Sequence, residues 1–168
     1  MKYFEKQTVV QSNFLSKKDV KEYIKKGIDL DPKQIYKVFS LSNKSKVIAD
    51  SNKKLLCFTY YDKVVDIDFD KLNNIQDQNK TLKKVFLDKG ALNAVNRGAD
   101  IMAPGILKYS EKQSEFKEDD IVYVEIENEG IYCVGVAIMS MDDIIKTGSG
   151  KSLEVIYIKD GCLKQIIA

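Results

Sequence analysis

The chain has 168 residues, 44% of them apolar, and a formal net charge of +2. That length and apolar share fit one ordinary domain or two small ones and exclude wholesale disorder, while the small net charge excludes a partner dictated by total charge alone. Histidine is absent, and Cys57, Cys133 and Cys162 lie far apart with no C-x-x-C spacing, so the commonest general base, the commonest metal ligand and a zinc knuckle are all missing.

No metal, no cofactor and no catalytic residue are therefore expected. Reduced, buried thiols point to a cytoplasmic protein. The N-terminus is charged and no apolar run approaches the length of a membrane span, so neither a signal peptide nor membrane attachment is expected. The charge is uneven along the chain. Residues 1–82 hold 16 basic and 11 acidic residues, a balance of +5; residues 83–168 hold 11 and 14, a balance of −3. A basic first half suits a polyanion-facing surface, although solvated lysines give the same count.

In chain order, residues 3–11 read as a first strand around Val9 and Val10. Ser16 with Asp19 forms a variant capping box, and Val20, Tyr23 and Ile24 give the following helix an apolar face that ends at Gly27. Asp31-Pro32 has the order of an N-cap and N1 residue, which predicts a second helix carrying Ile35, Tyr36, Val38 and Phe39. The period then changes. Lys46–Asp50, Leu55–Tyr61 and Val64–Phe69 read as short strands joined by turns at 51–53 and 62–63. Residues 70–80 are polar and read as a surface loop or linker, which places a domain boundary there.

The second half reads mostly as strands. Val85–Leu87 leads into a short helix over 89–96, capped by Asp88, with Leu92 and Val95 on its inner face. Gly98 fits the position after the helix, where a residue lacking Cβ takes positive φ at little cost. A short extended stretch and a tight turn at Ala103-Pro104-Gly105 follow. Residues 110–119 read as a charged loop. Ile121–Ile126 and Ile131–Ile138 form a hairpin about Glu127-Asn128-Glu129-Gly130, and Ser140 caps a helix through Lys146. Leu153–Ile158 and Leu163–Ile167 flank Asp160-Gly161 as a closing hairpin. This many short strands in about 85 residues suggests a small, mostly β pseudo-barrel.

Several patterns invite chemistry that the residues do not support. Gly148-Ser149-Gly150-Lys151-Ser152 resembles the end of a phosphate loop, but Ile145 stands where the required first glycine belongs. The segment also leads into a strand rather than a helix, so it reads as a flexible loop with a solvated lysine. Asp66, Asp68 and Asp70, like Glu125, Glu127 and Glu129, alternate as the exposed side of a sheet does. Tyr60, Tyr61, Tyr123, Tyr132 and Tyr157 are suited to stacking on bases; at least three of them read as core or cross-strand residues. Arg97 stands apart as the only arginine in the chain. Its planar fork of donors, beside a glycine turn, suits a phosphate or a base edge. The competing reading pairs Arg97 with Asp88 or Asp100.

The run Asp88-Lys89-Gly90-Ala91, followed by Gly98-Ala99-Asp100-Ile101-Met102-Ala103-Pro104-Gly105-Ile106, resembles the opening of a PUA domain, an RNA-binding pseudo-barrel. The strand Ile121–Ile126, then Val134-Gly135-Val136-Ala137, Met141-Asp142-Asp143-Ile144 and Asp160-Gly161, continue the resemblance over about residues 83–166. Within PUA proteins, Met102 and Pro104 with Ser140–Asp143 are most similar to the malignant T-cell-amplified sequence family. The segment 13–21 resembles the start of archaeal pre-PUA domains.

The resemblance implies an α+β fold: an α/β pre-PUA domain over 1–80 and a β-rich PUA pseudo-barrel over 83–168. It implies a non-enzymatic translation factor that binds RNA and the small ribosomal subunit, through rRNA or tRNA. Its partner would be density-regulated protein, which carries a SUI-type domain, and its roles reinitiation and post-termination recycling. The implied RNA surface is Lys89, Gly90, Ala91, Asn93, Arg97, Gly98, Ala99, Asp100, Met102, Pro104 and Gly105, with Lys159 and Lys164 at its margin. Three other readings stand beside it. A ribosome-assembly factor would use the same domain on rRNA. An RNA-modifying enzyme would need a larger catalytic part than residues 1–82 supply. The −3 balance of the second half also suits a pure protein-interaction module.

Overall fold

A computed structural model of the chain describes residues 3–74 and 82–168. It forms two compact units: one holds Lys6–Phe69 with Cys162–Ala168, the other Asp70–Gly161 with the residues up to Glu5. Among the described residues no helix is long and apolar enough to cross a membrane. The architecture is α+β, with one five-stranded sheet in each half of the chain.

The first sheet is an antiparallel meander of β1 (Val9–Phe14), β2 (Tyr36–Leu41), β3 (Lys46–Asp50), β4 (Leu55–Tyr60) and β5 (Lys63–Asp66), in that spatial order. Helix α1 (Lys17–Lys25) begins at Ser16, whose hydroxyl accepts the Asp19 N–H at 3.1 Å. Val20 is buried in one cluster with Ile28, Leu30, Tyr36, Ile48 and Cys57, and Tyr23 and Ile24 pack against it. Burial pushes the Tyr23 hydroxyl up to about 12.

Three expectations change here. The first strand runs from Val9 to Phe14 rather than over 3–11, because residues 3–6 form a turn with Lys6 at φ 61°. The second helix does not form. The Asp31 carboxylate accepts the Lys33 N–H at 2.9 Å, the Gln34 N–H bonds to the Asp31 carbonyl, and the chain turns into β2. Asp and Pro serve a tight turn as well as a helix start, and the β-branched and aromatic residues that follow pair along β3, Tyr36 opposite Asp50. The expected strand Val64–Phe69 stops at Asp66. Phe69, buried with Leu72 three residues on, opens α2 (Phe69–Asn74) inside the expected loop 70–80. The remainder of that loop, residues 75–80, lies outside the described residues.

The second sheet has the order β6 (Lys84–Leu87), β8 (Ile121–Ile126), β9 (Gly130–Ala137), β10 (Lys151–Ile158) and β7 (Ile101–Met102). Only β6 and β8 run parallel. The β8–β9 hairpin turns through 127–129, with the Glu129 N–H bonded to the Ile126 carbonyl. Helices α3 (Leu92–Asn96), α4 (Ala103–Leu107) and α5 (Met141–Thr147) close on it, and α5 is capped at Ser140 as expected. Val85, Ile106, Val122, Val124, Ile126, Ile144 and Leu153 lie in one buried cluster, with Cys133.

The expected closing hairpin is also overturned. The chain turns at Asp160 (φ 57°), but 163–166 is a helix, α6 (Leu163–Ile166). Strand β7 pairs with β10 only at Lys151 and Leu153, so sheet order does not bar a hairpin; burial of a helical pair of side chains decides instead. Leu163 and Ile167, both buried, sit four apart as one helix face requires. The loop lysine Lys151 is the first residue of β10; it is exposed and also pairs with Asp100. An acid of each series is in an ion pair, Asp68 with Lys54 and Glu125 with Lys84. Asp66, Asp68 and Asp70 do not share a strand face, since β5 ends at Asp66 and Asp70 lies in α2. Of the five tyrosines, Tyr123 and Tyr157 are buried, while Tyr61 is exposed.

Candidate nucleic-acid interface

The segment 88–108 leaves β6 and returns to the place it left. Asp88 starts it. Its carboxylate accepts the Gly90 N–H at 3.0 Å and caps the 3₁₀ turn Lys89–Ala91, which runs directly into α3. A Cβ on Gly90 would lie 3.0 Å from that carboxylate oxygen, so a larger residue there would press on the cap. Helix α3 ends in a Schellman arrangement: the Gly98 N–H bonds to the Val95 carbonyl and the Ala99 N–H to the Ala94 carbonyl, with Gly98 at φ 85°. Strand β7 follows.

The expected turn at 103–105 is instead the first turn of α4, with Pro104 where its missing N–H costs nothing. Lys108, whose N–H bonds to the Pro104 carbonyl, reaches back and donates to Asp88. That hydrogen bond, together with those from the Gly90 and Ala91 N–H groups, holds the Asp88 carboxyl below its ordinary value. The same bond raises Lys108.

A groove of about 130 Å³ lies inside this loop. Leu87, Ala91, Ala94, Val95 and Ile101 supply apolar lining; Asp88, Lys108, Ala99, Met102 and Gly105 complete it. Asp100 also lines it, but both of its oxygens are engaged. One accepts the Val155 N–H at 3.1 Å and the other pairs with Lys151 at 3.0 Å, which raises Lys151. Asp100 therefore ties the glycine turn to β10.

The residues expected at an RNA surface fall into distinct places. Ala91, Ala99, Asp100, Met102 and Gly105 line the groove. Lys89, Asn93 and Arg97 do not; spaced four apart, they share one exposed face of the turn and helix beside it. Gly90, Gly98 and Pro104 shape the backbone. Lys159, half-buried at the end of β10, bonds through its N–H to the Tyr132 carbonyl, and the Tyr132 hydroxyl donates to Asn96 of α3 at 2.7 Å. Lys164, in α6, belongs to the other compact unit. Among the described residues Arg97 is in no ion pair. Asp88 and Asp100, the two acids considered for it, are held by Lys108 and Lys151.

Six lining residues were not expected at the site: Leu87, Asp88, Ala94, Val95, Ile101 and Lys108. A signal for Lys108 was present: four residues after Pro104, it lies one helical turn on, but only if Pro104 is read as a helix start. Among the described residues no cluster of three His, Cys, Asp or Glu side chains is placed to hold a metal, and none of the three cysteines is in a disulfide.

The PUA domain family model matches residues 83–159. An uncharacterised protein of Methanocaldococcus jannaschii is 32% identical over 152 residues, which cover 86% of this chain and 89% of that one. Malignant T-cell-amplified sequence 1 of Danio rerio is 40% identical over 77 residues, 45% of this chain and 42% of that protein. Translation machinery-associated protein 20 of Eremothecium gossypii is 34% identical over 83 residues, 47% of this chain and 46% of that protein. The match thus spans less than half the length of these two named relatives.

Among solved structures, a hypothetical protein from Pyrococcus horikoshii superposes with a TM-score of 0.71 at 29% identity, covering 94% of this chain and all of that one. A conserved PUA domain protein from Thermoplasma acidophilum superposes with a TM-score of 0.68 at 21% identity, over 94% of this chain and all of that one. The chain belongs to the PUA-domain proteins and is similar to the malignant T-cell-amplified sequence family.

Proposed function

We propose that this chain is a non-enzymatic, RNA- and ribosome-binding translation factor. It acts on the small ribosomal subunit through rRNA or tRNA, in reinitiation and post-termination recycling. Its partner is a SUI-domain protein like density-regulated protein, and it works in the cytoplasm. Residues 1–80 serve as the pre-PUA domain and 83–168 as the RNA-binding PUA domain. The names of the two relatives that align with the PUA part support the translation role.

One observation carries RNA contact. The chain's one arginine stands exposed and outside any ion pair among the described residues, on one face with Lys89 and Asn93, while both neighbouring acids are held by lysines. On this reading Arg97 and Lys89 meet phosphates, Asn93 reads a base edge, and the small residues Ala91, Gly98 and Ala99 let a backbone approach. The adjacent groove, apolar along Leu87, Ala94 and Ile101, suits the face of a base. Sucrose-gradient co-sedimentation with purified small subunits tests the reading. Binding to mature subunits is expected; migration with pre-ribosomal particles alone would favour an assembly factor instead.

A further inference from the structure

Strand β1 is an edge strand: β2 pairs with one side, and no strand among the described residues pairs with the other. All six of its residues are exposed, Val10 by 69% and Phe14 by 74%. An apolar edge with unpaired backbone groups is a template for another chain. At its end, Phe14 lies beside a groove of about 560 Å³ lined by Leu15, Val20, Pro32 and Ile35, and Ile35 is 66% exposed. Exposed apolar residues gathered around a groove mark an interaction site rather than ordinary surface.

Charge narrows the occupant. Among the described residues Lys17 and Lys33 are the charged ones lining the groove. Residues 14–37 hold seven lysines against four acids. Two of those acids are engaged locally: Asp31 accepts the Lys33 N–H, and Glu22 faces Lys25 at 3.6 Å. Among the described residues neither Lys17 nor Lys33 is in an ion pair. A second copy related by a two-fold axis would set these lysines against lysines. An RNA strand would meet an aliphatic floor with a single exposed ring.

We propose that β1 and this groove dock an extended segment of a partner protein, with one large apolar side chain seated among Phe14, Val20, Pro32 and Ile35 and acidic residues flanking it toward Lys17 and Lys33. Backbone pairing along β1 supplies affinity, and the groove and lysines supply selection. None of these residues belongs to the proposed RNA face.

Selection of short peptides from a random display library on the full chain tests it. The enriched peptides should carry Asp or Glu on both sides of a Phe, Leu or Ile. A synthetic peptide of that sequence, followed by fluorescence anisotropy, should lose affinity by about tenfold or more with Ile35→Ser and with Lys17→Glu/Lys33→Glu together. The peptide should also shift the amide resonances of β1 in the unaltered protein, a readout that needs no variant. Four outcomes overturn the proposal: peptides without acidic residues; affinity indifferent to both variants; an oligouridylate binding this face in place of the peptide; or concentration-dependent dimerisation abolished by Ile35→Ser.

Discussion

Lys108 donates to Asp88 across twenty residues of chain and so fastens the end of α4 to the start of the turn that leads into α3. Both residues line the groove.

The Asp88–Lys108 pair has a defined pH window. Asp88 titrates below its ordinary value, so its contribution is present above the unfolded carboxylate value, about 3.9, and is lost as pH falls through the lowered one. Lys108 titrates above its ordinary value, so its contribution holds below the unfolded lysine value, about 10.4, and is lost as pH rises through the raised one. Carbon-detected NMR titration should find the Asp88 midpoint below the ordinary range in the native protein and moved up toward it in Lys108→Met. An unmoved midpoint would show that Lys108 is not its partner.

Gly98→Ala should destabilise the chain by about 1 kcal/mol, because φ 85° places a Cβ in the left-handed region. Urea denaturation measures it. An equal or higher midpoint would contradict the left-handed cap.

Gln113 acts as a strand substitute on the open edge of β6. Its Oε1 accepts the Phe86 N–H at 2.7 Å, and its Nε2 donates to the Phe86 carbonyl at 3.0 Å and to the Ile106 carbonyl at 2.7 Å. Gln113→Ala leaves partly buried backbone groups unpaired and should cost about 1–3 kcal/mol. Hydrogen exchange at the Phe86 amide should speed up in the same variant; unchanged exchange would sink the assignment.

Local chemistry explains how much was legible. Ser16 and Ser140 cap helices, and Gly98 ends one, because the partners of each lie within a few residues. Asp31-Pro32 misleads, since a turn and a helix start ask for the same two residues; only pairing with β3 separates them. Leu163–Ile167 misleads because Asp160-Gly161 asks for a hairpin, while the buried pair Leu163 and Ile167, four apart, suits a helix equally well. In the groove, Ala91, Ala99, Asp100, Met102 and Gly105 were visible through the PUA resemblance. Lys108 in the groove, and Gln113 beside β6, were not: each works through a partner twenty or more residues away.

Cys133 should be the slower thiol. Burial in the second core pushes it up to about 12, whereas Cys162 is only half-buried. Timed alkylation of native protein with peptide mass spectrometry should label Cys162 first. Prior labelling of Cys133 would contradict the packing of β9.

RNA contact on the proposed reading turns on the exposed face of Arg97. Arg97 is in no ion pair among the described residues, so Arg97→Ala should leave the melting temperature nearly unchanged. Binding of the variant to purified small subunits, measured across a salt series, should be weaker. The dependence of log K on log salt should flatten by roughly one unit for the lost phosphate contact. An unchanged affinity and slope, with the variant folded, would contradict the account.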